Sequence, residues 1–164
     1  MASTATRRGR RTRASAGDPG TVLVLHGPNL NLLGTARTSS WGTETLAEVD
    51  ARLVDEAARR GVRLSAFQSN HEGALVDRVH AARDEGVRFV IVNPGSLAPG
   101  SGALRDALDA TGIPYIEVCL GNRAAEDPTE PRSRLAERAV GTIAGLGSRG
   151  YDFALAFALA RLAG

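Results

Sequence analysis

The chain contains no lysine: all 20 of its basic residues are arginine. Schiff-base catalysis by a lysine amine is therefore excluded outright. Cysteine occurs once, at Cys119, so no internal disulfide forms, and the expected setting is a reducing cytoplasm. Histidine is scarce too. His26, His71 and His80 show no spacing, with one another or with Cys119, of the kind that holds zinc. No apolar run approaches the roughly 18 residues of a membrane span, so no membrane partner is expected.

What is present suits one soluble domain. The 164 residues are 43% hydrophobic and 23% charged, enough to bury a real core. The formal charge of +2 is unevenly placed. Residues 1–20 carry Arg7, Arg8, Arg10, Arg11 and Arg13 against Asp18 alone, so the tail is basic and the body mildly acidic. A nucleic-acid partner is not expected of such a body. The arginine pairs resemble a twin-arginine export signal, but no apolar stretch of roughly 7–15 residues follows before Asp18. Residues 1–20 are therefore read as a disordered basic tail, and residues 21–164 as the domain.

Along that domain, short apolar runs alternate with helical spacing. Residues 21–25 (TVLVL) read as a buried parallel strand stopped by His26-Gly27-Pro28-Asn29. From Thr43 to Arg60, Leu46, Val49, Leu53 and Ala57 share one helical face, with Thr43 as the expected N-cap. A strand is predicted at 62–67, and a helix at 72–85 with Leu75, Val76 and Val79 inward. A third strand follows at 88–92, then a helix at 101–110, a strand at 115–118, a short strand at 143–146 and a closing helix from 147 to 162. Five strands alternating with helices give an α/β, flavodoxin-like fold: a five-stranded parallel sheet with helices on both faces. Ligands of such sheets bind beyond the carboxyl ends of the strands. The segments following strands one, three and four are thus the candidates, with the Thr- and Ser-rich stretch 34–42 as a candidate lid.

Five segments carry a resemblance. They are VLVLHGPNLNLLG (22–34), QSNHEGALVDRVHAA (68–82), VIVNPGSLAPGSGALRDAL (90–108), IPYIEVCLGN (113–122) and GTIAGLGSRGY (141–151). In order and spacing they resemble the type II 3-dehydroquinate dehydratase family. The resemblance implies a cofactor-free and metal-free dehydratase of a small cyclic hydroxy-ketone acid. It also implies a homo-oligomer built on trimers, up to a dodecamer. In that family a lid tyrosine, activated by an arginine, removes a proton alpha to a ketone. A histidine protonates the departing hydroxyl, and an asparagine positions water.

Several positions depart from the family pattern. Its lid, GTREPxxYG, is here GTARTSSWG, placing Trp41 at the tyrosine and Ala36 at the activating arginine, with Arg37 next to it. An indole N–H donates but cannot act as a base near neutrality. The pattern EVHxSN is here EVCLGN, so Cys119 stands at the general acid. THTS is here APGS, placing Pro99 at a substrate-binding histidine, and Glu126 and Glu130 replace two arginines. Retained are Asn29 and Asn93 after strands one and three, Glu117 on strand four, and Arg105-Asp106, whose aspartate in the family crosses a subunit interface. The amides of Leu120 and Gly121 would receive a substrate carboxylate.

The expected catalytic set is Asn29, Asn93, Glu117, Cys119 and His26, the last as an acid–base candidate titrating near neutrality. The expected substrate-binding set is Trp41, Arg37, Pro99, Arg105, Asp106, Leu120 and Gly121. Blander readings stand beside these: Cys119 as core filler, Glu117 and Asn93 as strand-end structure, Trp41 as loop packing, Glu126 and Glu130 as solvated acids, and His71 as a helix cap. With base, activator and acid all replaced, the expected enzyme is a lyase or cyclase for a bulkier, less polar small molecule in specialised metabolism. The alternatives are a genuine 3-dehydroquinate dehydratase, with Arg37 and His26 substituting, and a non-catalytic binding scaffold.

Overall fold

The computed structural model describes residues 20–35, 42–129 and 131–164. Residues 1–19 of the expected tail lie outside them, as do Ala36, Arg37, Trp41 and Glu130. The described chain runs β1 (Thr21–His26), α1 (Leu46–Arg59), β2 (Arg63–Gln68), α2 (Glu72–Asp84), β3 (Val87–Asn93), α3 (Gly102–Thr111), β4 (Tyr115–Cys119), α4 (Arg123–Glu126), β5 (Gly141–Ala144) and α5 (Arg149–Ala163). All sheet pairings are parallel, in the order β2-β1-β3-β4-β5. This is the α/β architecture the alternation predicts.

The central strands are buried on both faces, which is why they read as unbroken apolar runs rather than alternating ones. Val22, Val24, Phe89, Ile91, Ile116 and Val118 pack beneath α1 and α5. On the other face, Leu23, Leu25, Val90, Val92 and Tyr115 pack against α2 and α3. Most boundaries shift by one or two residues from the sequence reading, His26 among them as the last residue of β1, and two of the shifts have a clear local cause. The N-cap of α1 is Thr45, not Thr43, because only Thr45 completes a reciprocal capping box with Glu48. β5 covers 141–144 rather than 143–146, because Gly145 and Gly147 adopt φ of 82° and 57°, which ends the extended backbone.

β1 and β3 lie side by side and finish together, His26 opposite Asn93. Just beyond, the Gly27 N–H donates to the Asn93 carbonyl at 2.8 Å. A Cβ at position 27 would lie 2.3 Å from the Pro94 carbonyl oxygen. Only glycine permits this approach of two backbones, and it places both strand-end loops. Gly27→Ala should therefore cost roughly 1–3 kcal/mol through overpacking. Equilibrium denaturation measures this, and a loss below about 0.5 kcal/mol, the range of a neutral surface change, would contradict the contact.

Candidate functional site

The loop after β1 is held from the neighbouring strand. His26 pairs in register with Gln68, so the loops following β1 and β2 emerge together. There Asn29 takes a left-handed conformation (φ 68°), which asparagine tolerates better than most residues. Its backbone N–H donates to Asn70 Oδ1 at 2.9 Å. Gln68 Nε2 donates to both the Gly27 carbonyl (3.2 Å) and Asn70 Oδ1 (3.1 Å). The GPN and QSN segments are thus two halves of one brace.

At the end of β3, Asn93 is buried, and both ends of its carboxamide are engaged. Oδ1 accepts the Gly95 N–H at 3.1 Å, while Nδ2 donates to the Tyr151 hydroxyl at 3.0 Å. Asn29, Asn93, Cys119, Leu120, Gly121 and Arg123 border a cleft of about 350 Å³ at the strand ends. The Leu120 and Gly121 carbonyls accept the Gly147 and Gly145 N–H groups at 3.0 and 3.1 Å, which pins the turn that borders it. Arg123 Nη1 donates to the Gly95 carbonyl at 3.2 Å, tying the start of α4 to the loop after β3.

A second cleft of about 400 Å³ shares Cys119 and Arg123 with the first and adds Glu117, Ser133 and Asp127. Glu117 is 5% exposed, and its Oε2 accepts the Ser133 hydroxyl at 2.7 Å. Burial pushes its carboxyl above the ordinary 4.5, against the opposing pull of the Ser133 hydrogen bond and the Arg123 charge. Such a group is suited to holding a proton closer to neutrality than an exposed glutamate.

The structure brings five of the expected residues together: Asn29, Asn93, Cys119, Leu120 and Gly121 all border the first cleft, with Glu117 adjoining. His26 is placed differently from a cleft-facing acid–base group. It is fully buried, with Nδ1 2.9 Å from the Tyr151 hydroxyl and Nε2 2.9 Å from Asp50 Oδ1, so both ring nitrogens are occupied within the fold. Pro99 borders neither cleft; its neighbour Ala98 reaches the second. Arg105 and Asp106 border neither as well, and pair with each other on α3 at 2.8 Å. His71 holds the N-cap position of α2 without a side-chain capping bond. The expectations for Trp41 and Arg37 lie outside the described residues, as does that for Glu130.

Sequence reasoning missed Tyr151, Asp50, Ser133 and Arg123. Arg123 had a usable signal, since it lies two residues beyond the Leu120–Gly121 turn. Tyr151 and Asp50 had none, because their roles come from contacts across 125 and 24 positions.

Comparison with known proteins points one way. Residues 20–159 match the family described as Dehydroquinase class II. The chain is 57% identical over 138 residues to the 3-dehydroquinate dehydratase of Ralstonia pickettii, covering 84% of this chain and 89% of that protein. It is 53% identical to 3-dehydroquinate dehydratase 1 of Ralstonia nicotianae, covering 87% and 92%. Among solved structures, the type II dehydroquinase of Propionibacterium acnes superposes with a TM-score of 0.80 at 34% identity, covering 85% of this chain and 96% of that one.

The raised Glu117 carboxyl has a measurable consequence. The folded chain binds this proton more tightly than the unfolded chain does. The stabilisation is therefore full below the unfolded value of 4.5 and is lost as pH rises through the folded value. Glu117→Gln keeps an acceptor for Ser133 and removes the titration. Its melting temperature should gain on the parent's as pH rises from below 4.5 to neutrality; a gap that stays constant with pH would refute the shift.

Proposed function

This chain belongs to the class II dehydroquinase family, and on that footing we propose that it is a lyase eliminating water from 3-dehydroquinate. The observation that carries the reading is the 57% identity to a 3-dehydroquinate dehydratase across most of both chains. The strand-end cleft supports it, since two carboxamides and a backbone turn are suited to a polar, oxygen-rich ring acid. The expectation from the sequence, a lyase or cyclase for a bulkier, less polar molecule in specialised metabolism, finds no such support, and its alternative fits better: the relatives reported above are named as dehydratases of 3-dehydroquinate.

The roles follow from the chemistry of each group. Asn29 and Asn93 lie where carboxamide N–H groups can stabilise negative charge developing on a ketone oxygen during enolisation. The Leu120–Gly121 turn is assigned the carboxylate. Cys119 is assigned the proton transfer to the departing hydroxyl. A thiol carries an S–H that it can donate. The proton removed on enolisation passes to solvent; the enolate's electron pair then forms the carbon–carbon double bond as the carbon–oxygen bond breaks, the oxygen takes the thiol proton and leaves as water, and the thiolate regains a proton from solvent. Arg105 and Asp106, which border neither cleft of their own chain, are assigned to a neighbouring subunit's site in a homo-oligomer.

The test follows the enone absorbance of dehydroshikimate after purified protein is mixed with 3-dehydroquinate. Turnover is expected, and Cys119→Ala should lower kcat by about 10²–10⁴-fold, the usual contribution of one general acid–base group. A folded, assembled protein that forms no product would overturn the reading. Since Trp41 and Cys119 stand where the family pattern has a base and an acid, that result would leave dehydration of a different hydroxy-ketone.

A further inference from the structure

Among the described residues, one polar chain runs through the otherwise apolar core beneath α1 and α5 to the cleft. Asp50 on α1, His26 at the end of β1, Tyr151 on α5 and Asn93 at the end of β3 are linked at 2.9, 2.9 and 3.0 Å. A neutral imidazole beside an Asp50 carboxylate satisfies every donor and acceptor of this chain. An ionised Asp50 can only accept, so His26 Nε2 carries the ring proton and Nδ1 is left as an acceptor. The Tyr151 hydroxyl therefore donates to Nδ1, and its oxygen receives the Asn93 Nδ2–H. Gly95 N–H fixes the other end of the carboxamide, at Oδ1. The amide of Asn93 is thereby oriented without ambiguity. One Nδ2–H and one Oδ1 lone pair remain for whatever occupies the cleft.

A core alone does not require this chain. His26 and Tyr151 are both 0% exposed, and burying polar groups there is costly unless each is satisfied. A phenylalanine would fill the space of Tyr151 with one fewer polar atom to satisfy. The chain also has a direction. The negative Asp50 draws the His26 proton, which strengthens Nδ1 as an acceptor, which in turn makes the Tyr151 oxygen a better acceptor for Asn93. The hold on Asn93 is thus reinforced from Asp50, whose side chain is 28% exposed at the edge of the core.

We propose that Tyr151, backed by His26 and Asp50, is a positioning residue for the elimination, holding the Asn93 carboxamide in the orientation that meets the substrate. The proposal rests on the dehydratase reading. Tyr151 touches no substrate; it acts through Asn93.

Tyr151→Phe tests it, with melting temperature and assembled mass confirming the fold. The expected result is a kcat about tenfold lower, the value of one hydrogen bond, with KM within about twofold of the parent. In the Asn93→Ala background the same change should cost nothing further, because the two act as a unit. Asp50→Ala should lower kcat severalfold, and Asp50→Asn, whose carboxamide oxygen still accepts from Nε2, should restore most of it. A Tyr151→Phe kcat within about twofold of the parent, or losses that add to those of Asn93→Ala, would overturn the proposal. Should Tyr151→Phe fail to fold, the Asp50 pair decides on the same terms, and equal kcat values for Asp50→Ala and the parent would overturn it. A crystal structure of either variant supplies the readout that needs no substrate. Rotation of the Asn93 carboxamide supports positioning, and an unmoved carboxamide overturns it. A parent protein without turnover whose variants do displace Asn93 would defeat the dehydratase reading alone.

Discussion

The contact between the backbones leaving β1 and β3 is the constraint on which the site depends. Because residue 27 has no side chain, its peptide can lie against Pro94, and the two loops start from one point. Asn29 and Asn93 are thereby brought to the same cleft although they are far apart in sequence. The rest of the frame works from this join outward. Asn70 and Gln68 hold the first loop from β2, while Arg123 holds the second from the start of α4. On the far side, Gly145 and Gly147 fix the turn after β4. The cleft is framed by backbone, carboxamide and guanidinium contacts, which do not change with pH near neutrality.

The fold was legible in the sequence because burial on both faces of a parallel sheet writes itself as apolar runs, as in 21–25 and 88–92. Boundaries were less so. The choice between Thr43 and Thr45 turned on which threonine had Glu48 three residues ahead, and the end of β5 on two glycines read as part of a strand. The site was legible to the extent that topology dictates it: whatever ends or follows β1, β3 and β4 must face the strand ends, and Asn29, Asn93 and Cys119 do. Its depth was not. His26 reads as a titratable group beside a pocket, yet the direction in which it points is set by Asp50 and Tyr151, and no local pattern specifies partners so distant.

The same division separates the frame of the cleft from the side chains available for chemistry. Some residues that hold the cleft, such as Gly27, Asn70 and Tyr151, do not border it, whereas Asn93 and Arg123 do both. Gly27, Asn70 and Tyr151 act on backbone and on Asn93. Chemistry at such a site can therefore change without disturbing the scaffold, which is why fold alone does not fix activity.

The polar chain under α5 also bears on the order in which the molecule is made. A chain leaving the ribosome exposes β1, β2 and β3 long before residue 151 is synthesised. Until then His26 and Asn93 lack the hydroxyl that joins them, 125 and 58 residues downstream. Asp50 and Gly95 can already hold their other ends, but His26 Nδ1 and Asn93 Nδ2 have water in place of that hydroxyl, so that side of the sheet stays wet until the last helix arrives. Desolvation of the sheet, docking of α5 and orientation of Asn93 then become one event at the end of synthesis. A nascent chain halted before that point would carry a nearly complete sheet and no working cleft.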